Sequence, residues 1–149
     1  MTATIRNGVQ SDLEALIAID DIASSNEARR TQIRDGLLES AIAVAVVNAT
    51  PAGYAFLTYH FFGQAFLELV YVGAEYRRCG IGSALIRYVL EKTGGTKLFT
   101  STNQSNAPMR ALLAKLGFEE SGIIHNLDPG DPELIFCRRA DRAGSAPAG

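Results

Sequence analysis

The stretch Leu69–Leu85, LVYVGAEYRRCGIGSAL, decides how this chain folds. The apolar run Ala65 to Val72 that leads into it reads as a buried strand. A short loop then carries Arg77, Arg78, Gly80 and Gly82. From Ile81 the apolar period changes, and Ile81, Leu85, Val89 and Leu90 recur at helical spacing until Gly94-Gly95 ends the helix. The start of a helix offers unpaired N–H groups and a partial positive charge. Two glycines let backbone approach a ligand closely, and two arginines add full charge at the rim. That combination predicts a site for a phosphate or pyrophosphate. A plain strand-to-helix turn, with glycines for packing and solvated arginines, would use the same residues.

Outward from this stretch the pattern is regular. Ala41 to Val47, Tyr54 to Phe62 and Ala65 to Val72 read as three strands, joined by the turn residues Asn48 to Gly53 and by Gly63-Gln64. They predict an antiparallel meander. Ala3 to Arg6 is short enough for an edge strand. Two helices precede the meander. The first opens on a capping box of Ser11 with Glu14 and carries Leu13, Leu16 and Ile17. The second opens on Ser24 with Glu27 and runs toward Leu37-Leu38, with Gly36 as an interruption. Downstream, Lys97 to Ser101 is a strand. Asn106 caps a helix whose inward face is Met109, Leu112, Leu113 and Leu116, and Gly117 stops it. Phe118 to Ile124 and Glu133 to Arg138 are two last strands around the polar loop His125 to Pro132. The order is β-α-α-β-β-β-α-β-α-β-β. It predicts an α+β fold: a mixed, mostly antiparallel sheet of six to seven strands, flanked by about four helices on both faces.

Length and composition narrow the class further. The chain has 149 residues, 47% of them hydrophobic, which suits one domain over residues 1–142 with a flexible small-residue tail at 143–149. Fourteen basic against 16 acidic side chains give a net charge of -2, without the footprint of a nucleic-acid or membrane-surface binder. Two cysteines, Cys79 and Cys137, make no disulfide framework. No apolar run approaches the length of a membrane span and no signal peptide stands out, so a cytoplasmic protein is expected.

The loop lacks the Lys of a P-loop, and Gly80-Ile81-Gly82 lacks the third glycine of a dinucleotide fingerprint. Arg77-Arg78-Cys79-Gly80-Ile81-Gly82 instead resembles the acetyl-CoA motif of the GNAT family, Gln/Arg-x-x-Gly-x-Gly/Ala. The segment from Asn106-Ala107-Pro108-Met109 to Lys115-Leu116-Gly117-Phe118 is similar to that family's second CoA-side element. The order of elements agrees over about residues 3 to 138.

The resemblance implies an N-acetyltransferase that moves an acetyl group from acetyl-CoA to a primary amine by direct attack on the thioester. The amine could belong to a small molecule, a peptide N-terminus or a lysine. Backbone groups of Val70, Tyr71 and Val72 would pair with the pantetheine arm, and the N–H of Val70 or Val72 would serve the oxyanion. The amides of Arg78, Cys79, Gly80, Ile81, Gly82 and Ser83 would hold the pyrophosphate, with Arg77 at the start of the loop. Asn106 would contact pantetheine, a role that competes with simple helix capping. No metal is implied.

The catalytic groups are less defined. Glu68 is a carboxylate in an otherwise apolar strand, expensive unless it faces a cleft or partner, and is the candidate base or amine-binding group. His60 is an alternative, and His125 belongs to a surface loop. The family's usual acid, a Tyr four residues before the glycine of Lys-Leu-Gly-Phe, is here Leu113. Tyr71, Tyr76 or bound water could substitute, or the thiolate could leave unprotonated. Asp128, Asp131 or Glu133 could attract a cationic amine or simply face water. Asp20, Asp21, Glu27, Arg29 and Arg30 lie in the part that the family uses as a substrate-side lid, or form a solvated face. A non-catalytic acyl-CoA sensor and a transferase of another acyl group are the competing readings. A homodimer through exposed sheet edges is compatible with the pattern.

Overall fold

Two tight hairpins organise the centre of the sheet. Asn48 and Ala49 both adopt positive φ, 49° and 64°, as the favoured two-residue hairpin turn requires. The turn is therefore shorter than the composition of residues 48–53 suggests. The strand after it, β3 (Thr50–Phe61), begins at once, with Pro51 opposite Val46 beside an irregularity in the ladder. A bulge tolerates the missing proline N–H. Phe62 and Gly63 form the second turn, with φ of 54° and 74°, and β4 (Gln64–Val72) follows.

The computed structural model describes residues 2–140; the expected tail at 143–149 lies outside them. The remaining elements are β1 (Thr4–Asn7), α1 (Leu13–Ile19), α2 (Glu27–Leu38), β2 (Ile42–Val47), α3 (Ile81–Lys92), β5 (Leu98–Asn103), α4 (Ala107–Lys115), β6 (Glu119–Ile124) and β7 (Glu133–Arg138). The strand order is β1-β2-β3-β4-β5-β7-β6, with β4 and β5 parallel. Seven strands and four helices in a mixed, mostly antiparallel sheet are the α+β architecture that the sequence predicts.

Packing divides the chain into two compact units. The first holds the chain up to Leu57 together with Glu68–Val89. Its core joins Leu16 of α1 and Ile33 and Leu37 of α2 to Val44, Tyr54, Phe56 and Tyr71. Gly53 alternates with Tyr54 on β3, so it faces the other side, where Ile81 of α3 approaches it. The second unit holds Thr58–Leu67 and the chain from Leu90 on. Here β5 pairs with β7 over six residues, β6 pairs with the other edge of β7, and Leu113 of α4 and Leu116 just after it are buried.

The expected helix starts shift. The Ser11–Glu14 box does not form, because Gln10–Asp12 is a short 3₁₀ turn. The Asp12 carboxylate does the capping instead, accepting from the Val9 N–H at 2.8 Å and from Arg6 at 2.8 and 2.9 Å. Asn26, not Ser24, caps α2, its side chain accepting from the Arg29 N–H at 2.9 Å. Gly36 does not interrupt that helix. A Cβ there would stand 2.7 Å from Ile42 Cδ1, so the glycine is what lets α2 press onto the sheet.

Candidate functional site

The end of β4 is fixed from several sides. Its parallel ladder to β5 covers Ala65, Leu67 and the residue between them, and is closed by Thr100 Oγ1 donating to the Leu67 carbonyl at 2.9 Å. Among the described residues, Glu68 to Val72 carry no β5 pairing. On the β3 side the Gly73 N–H donates to the Ala52 carbonyl at 2.8 Å. A Cβ on Gly53 would stand 2.7 Å from the Tyr71 carbonyl oxygen, so only glycine admits the strand this close.

The loop after β4 then delivers the chain into α3. Arg78 and Gly80 both take positive φ, 64° and 79°, and nothing lies within 4 Å of where a Gly80 Cβ would be. The first helical bond runs from the Ala84 N–H to the Gly80 carbonyl at 3.0 Å. The N–H groups of Gly80, Ile81, Gly82 and Ser83 therefore precede the helical ladder. Ile81 and Leu85 are buried and anchor the helix from below. Arg78 is exposed and Cys79 half-buried. Ser83 Oγ accepts from Arg87 at 2.6 Å, which brings a further cation to this turn.

Arg77 departs from the expected rim position. Its Nε donates to the Val72 carbonyl at 3.0 Å and its Nη2 to the Tyr71 hydroxyl at 3.2 Å, with the guanidinium 5.4 Å from the Tyr71 ring. The side chain folds back over the strand end. Tyr71 is buried, and its hydroxyl donates to the Asp21 carboxylate while accepting from the Asp21 N–H.

Behind Tyr71 lies a polar cluster that the sequence does not announce. Asp20 is completely buried. It accepts from the Ile22 and Ala23 N–H groups at 2.9 and 3.2 Å, from the Tyr54 hydroxyl at 2.5 Å and from Arg29 Nε at 2.9 Å. Burial, reinforced by the bond to Asp20, pushes the Tyr54 phenol well above its usual range, so it remains a donor. Asp20 is thus a core residue and Arg29 a half-buried one rather than a solvated face, whereas Glu27 is exposed. The clue was helical phase: Arg29 and Gln32 share the inward stripe of α2 with Ile33, Gly36 and Leu37.

Glu68, the first residue of β4 beyond its β5 ladder, is half-buried, and its carboxylate accepts from Gln32 Nε2 at 2.7 Å. His60 and His125 are both exposed.

In the second unit Asn106 caps α4, its Oδ1 accepting from the Met109 N–H at 3.2 Å. Leu113 is buried core. The loop after β6 is tied down by its own acids. Asp131 accepts from the Ser105 N–H and Oγ at 3.1 and 2.6 Å, Asp128 from Asn103 at 2.9 Å, and Glu133 from Ser101 at 2.7 Å. No cluster of three or more metal-ligating side chains occurs among the described residues.

The strand end, glycine loop and helix start form one continuous piece of chain, and comparison with known proteins gives the family it belongs to. Residues 12–118 match the Acetyltransferase (GNAT) family. The chain belongs to this family, whose acyl donor is acetyl-CoA. A GNAT-family acetyltransferase from Bacillus cereus is 32% identical, with a TM-score of 0.88 over 95% of this chain and 100% of that one. The ribosomal protein bS18-alanine N-acetyltransferase of Escherichia coli is 35% identical over 85 residues, 55% of this chain and 57% of the relative. The alignment thus spans little more than half of that protein. The E. coli ribosomal-protein-S18-alanine N-acetyltransferase structure superposes with a TM-score of 0.81 at 24% identity, over 99% of this chain and 100% of that one, which shows the shared fold. A Thermoplasma acidophilum N-acetyltransferase solved with coenzyme A has the same fold, at 18% identity and TM-score 0.70 over 93% of this chain and 99% of that one.

Proposed function

We propose that this protein transfers an acetyl group from acetyl-CoA to a primary amine, by direct attack of the amine on the thioester. The observation that carries this reading is one continuous piece of chain. A strand end without β5 pairing runs through an open glycine loop into a helix whose first-turn amides precede its ladder. The amides of Arg78 to Ser83 would receive the pyrophosphate. Backbone groups of Val70, Tyr71 and Val72 are suited to pair with pantetheine as an added strand would. Arg77 serves this frame by pinning the Val72 carbonyl. Asn106 uses Oδ1 to cap its own helix.

The attacking nitrogen must first lose its extra proton, and Glu68 is the carboxylate suited to accept it. The C–N bond then forms at the carbonyl carbon while a β4 N–H stabilises the oxyanion. The C–S bond breaks, the nitrogen gives its second proton to water, and water returns a proton to the thiolate. The Tyr71 hydroxyl is already committed to Asp21 and Arg77, which favours a positioning role for its phenol over that of the missing acid. The E. coli relative acts on a ribosomal-protein alanine, so a peptide N-terminus is the first acceptor to try.

Thiol release from acetyl-CoA, followed with a panel of peptide N-termini, lysines and small amines, tests the reading. Gly82→Trp, which fills the loop, should reduce turnover at least about a hundredfold, the scale on which misplaced reactants lose rate. Binding of acetyl-CoA without turnover by any amine would favour a sensor. Failure of acetyl-CoA to bind would end the proposal.

A further inference from the structure

Helix α2 presents five side positions to the first unit: Arg29, Gln32, Ile33, Gly36 and Leu37, at helical spacings of three and four. Ile33 and Leu37 fill the core, and Gly36 sets the distance to the sheet. Arg29 is accounted for by Asp20 and Tyr54. Gln32 remains. It is half-buried, one turn before Gly36, and its side-chain amide donates to Glu68 at 2.7 Å.

This placement has a physical reason. With Gly36 replaced by any residue carrying a Cβ, α2 would meet Ile42 and Phe56 at 2.7 and 3.1 Å. The glycine thus lets helix and sheet approach closely here, with Gln32 one turn away and bonded to Glu68. A flexible carboxylate has three side-chain torsions to lose, and a donor at 2.7 Å selects among them. A glutamine amide also spends nothing on charge: it orients the carboxylate without neutralising it, as a Lys or Arg in this position would.

We propose that Gln32 is the positioning residue for Glu68, so that α2, and not only the CoA-side strand, builds the amine-activating part of the site. This rests on the proposed role of Glu68. The prediction is read in steady-state kinetics with acetyl-CoA and the best amine, on wild type, Gln32→Met, Glu68→Gln and the double variant. Gln32→Met keeps the side-chain length and removes the donor. It should lower kcat about tenfold and leave the KM for acetyl-CoA within about twofold, part of the loss expected of a misaimed base. The double variant should be no slower than Glu68→Gln alone, because the glutamine acts only through the glutamate. Gln32→Lys, which restores an N–H donor but sets a positive charge against the carboxylate, should not recover the wild-type rate.

If Gln32→Met retains wild-type kcat while Glu68→Gln is impaired, the inference fails and the assignment of Glu68 stands. If neither variant is impaired, Glu68 is not the base and both fall. Losses that multiply in the double variant would show independent roles and overturn the inference. Should Gln32→Met fail to fold, Gln32→Glu keeps the same shape, sets a like charge against Glu68, and must lower kcat at least as far.

Discussion

Two acidic loops in this protein use their carboxylates in opposite ways. In the first unit, the connection after α1 buries Asp20 completely and surrounds it with two backbone N–H groups, a phenol and a guanidinium. In the second, the loop between β6 and β7 leaves Asp128 exposed and Asp131 half-exposed, each bonded to the neighbouring β5–α4 connection. Both loops are short, polar and rich in Asp. The difference lies in what a lost carboxylate leaves behind. Without Asp131, Ser105 turns to water. Without Asp20, Arg29 and Tyr54 keep their buried positions and have no counterpart.

The comparison is broken most directly at Asp20. Asp20→Ala leaves a largely buried guanidinium, whose side chain is 14% exposed, without its carboxylate. Breaking one half of such a pair costs about 3–5 kcal/mol. Urea denaturation should show the midpoint falling accordingly with an unchanged slope. A loss under about 1 kcal/mol would mean that the cluster relaxes to water and that the two loops differ only in appearance.

Asp12 lies between these extremes. Its side chain is 9% exposed, while its partner Arg6 is 46% exposed. The hydrogen bonds from Arg6 hold the Asp12 carboxyl below its ordinary range against the opposing effect of burial. A depressed folded-state value contributes stability above the unfolded pKa of about 3.9. That contribution disappears as pH falls through the lower folded value. Discounted for screening on the exposed arginine, it amounts to about 0.5–1 kcal/mol. Asp12→Asn should therefore melt lower than wild type at pH 7, and the two melting curves should converge below about pH 4. Curves that stay parallel down to acid would assign the stabilisation to the uncharged Val9 cap.

How much of this was legible depends on the range of the interactions. The β4–loop–α3 stretch and the Asn106 cap of α4 are local, written in residues three to ten apart, and the structure has them where the pattern puts them. Pro51 misleads only at a boundary, because a bulge absorbs it. Asp20 could not be read as buried: its partner Tyr54 is 34 residues away, and a polar run looks alike inside or out until the helix phase is fixed. The Gln32–Glu68 pair spans 36 residues. Glu68 was conspicuous as a charge in an apolar strand, while Gln32 on a polar helix was not. Gly36 was misread because helix propensity counts its cost and not the close approach it allows.

The smallest effect sharpens the contrast best. Asp131→Ala removes a carboxylate both of whose oxygens are engaged, Oδ1 by the Ser105 N–H and Oδ2 by its hydroxyl. At a solvent-accessible site both donors find water, so stability should fall by no more than about 1 kcal/mol. If the loop is purely a structural tie, the KM for a cationic amine should stay within about twofold of wild type. If the loop also attracts the amine, removing one charge should raise that KM severalfold, more at low than at high salt, since an exposed attraction is screened. Measuring the KM at two ionic strengths separates these outcomes. A salt-dependent rise would give the surface carboxylates the functional role; a flat response would leave acceptor recognition to the first unit, where Asp21 holds the Tyr71 hydroxyl.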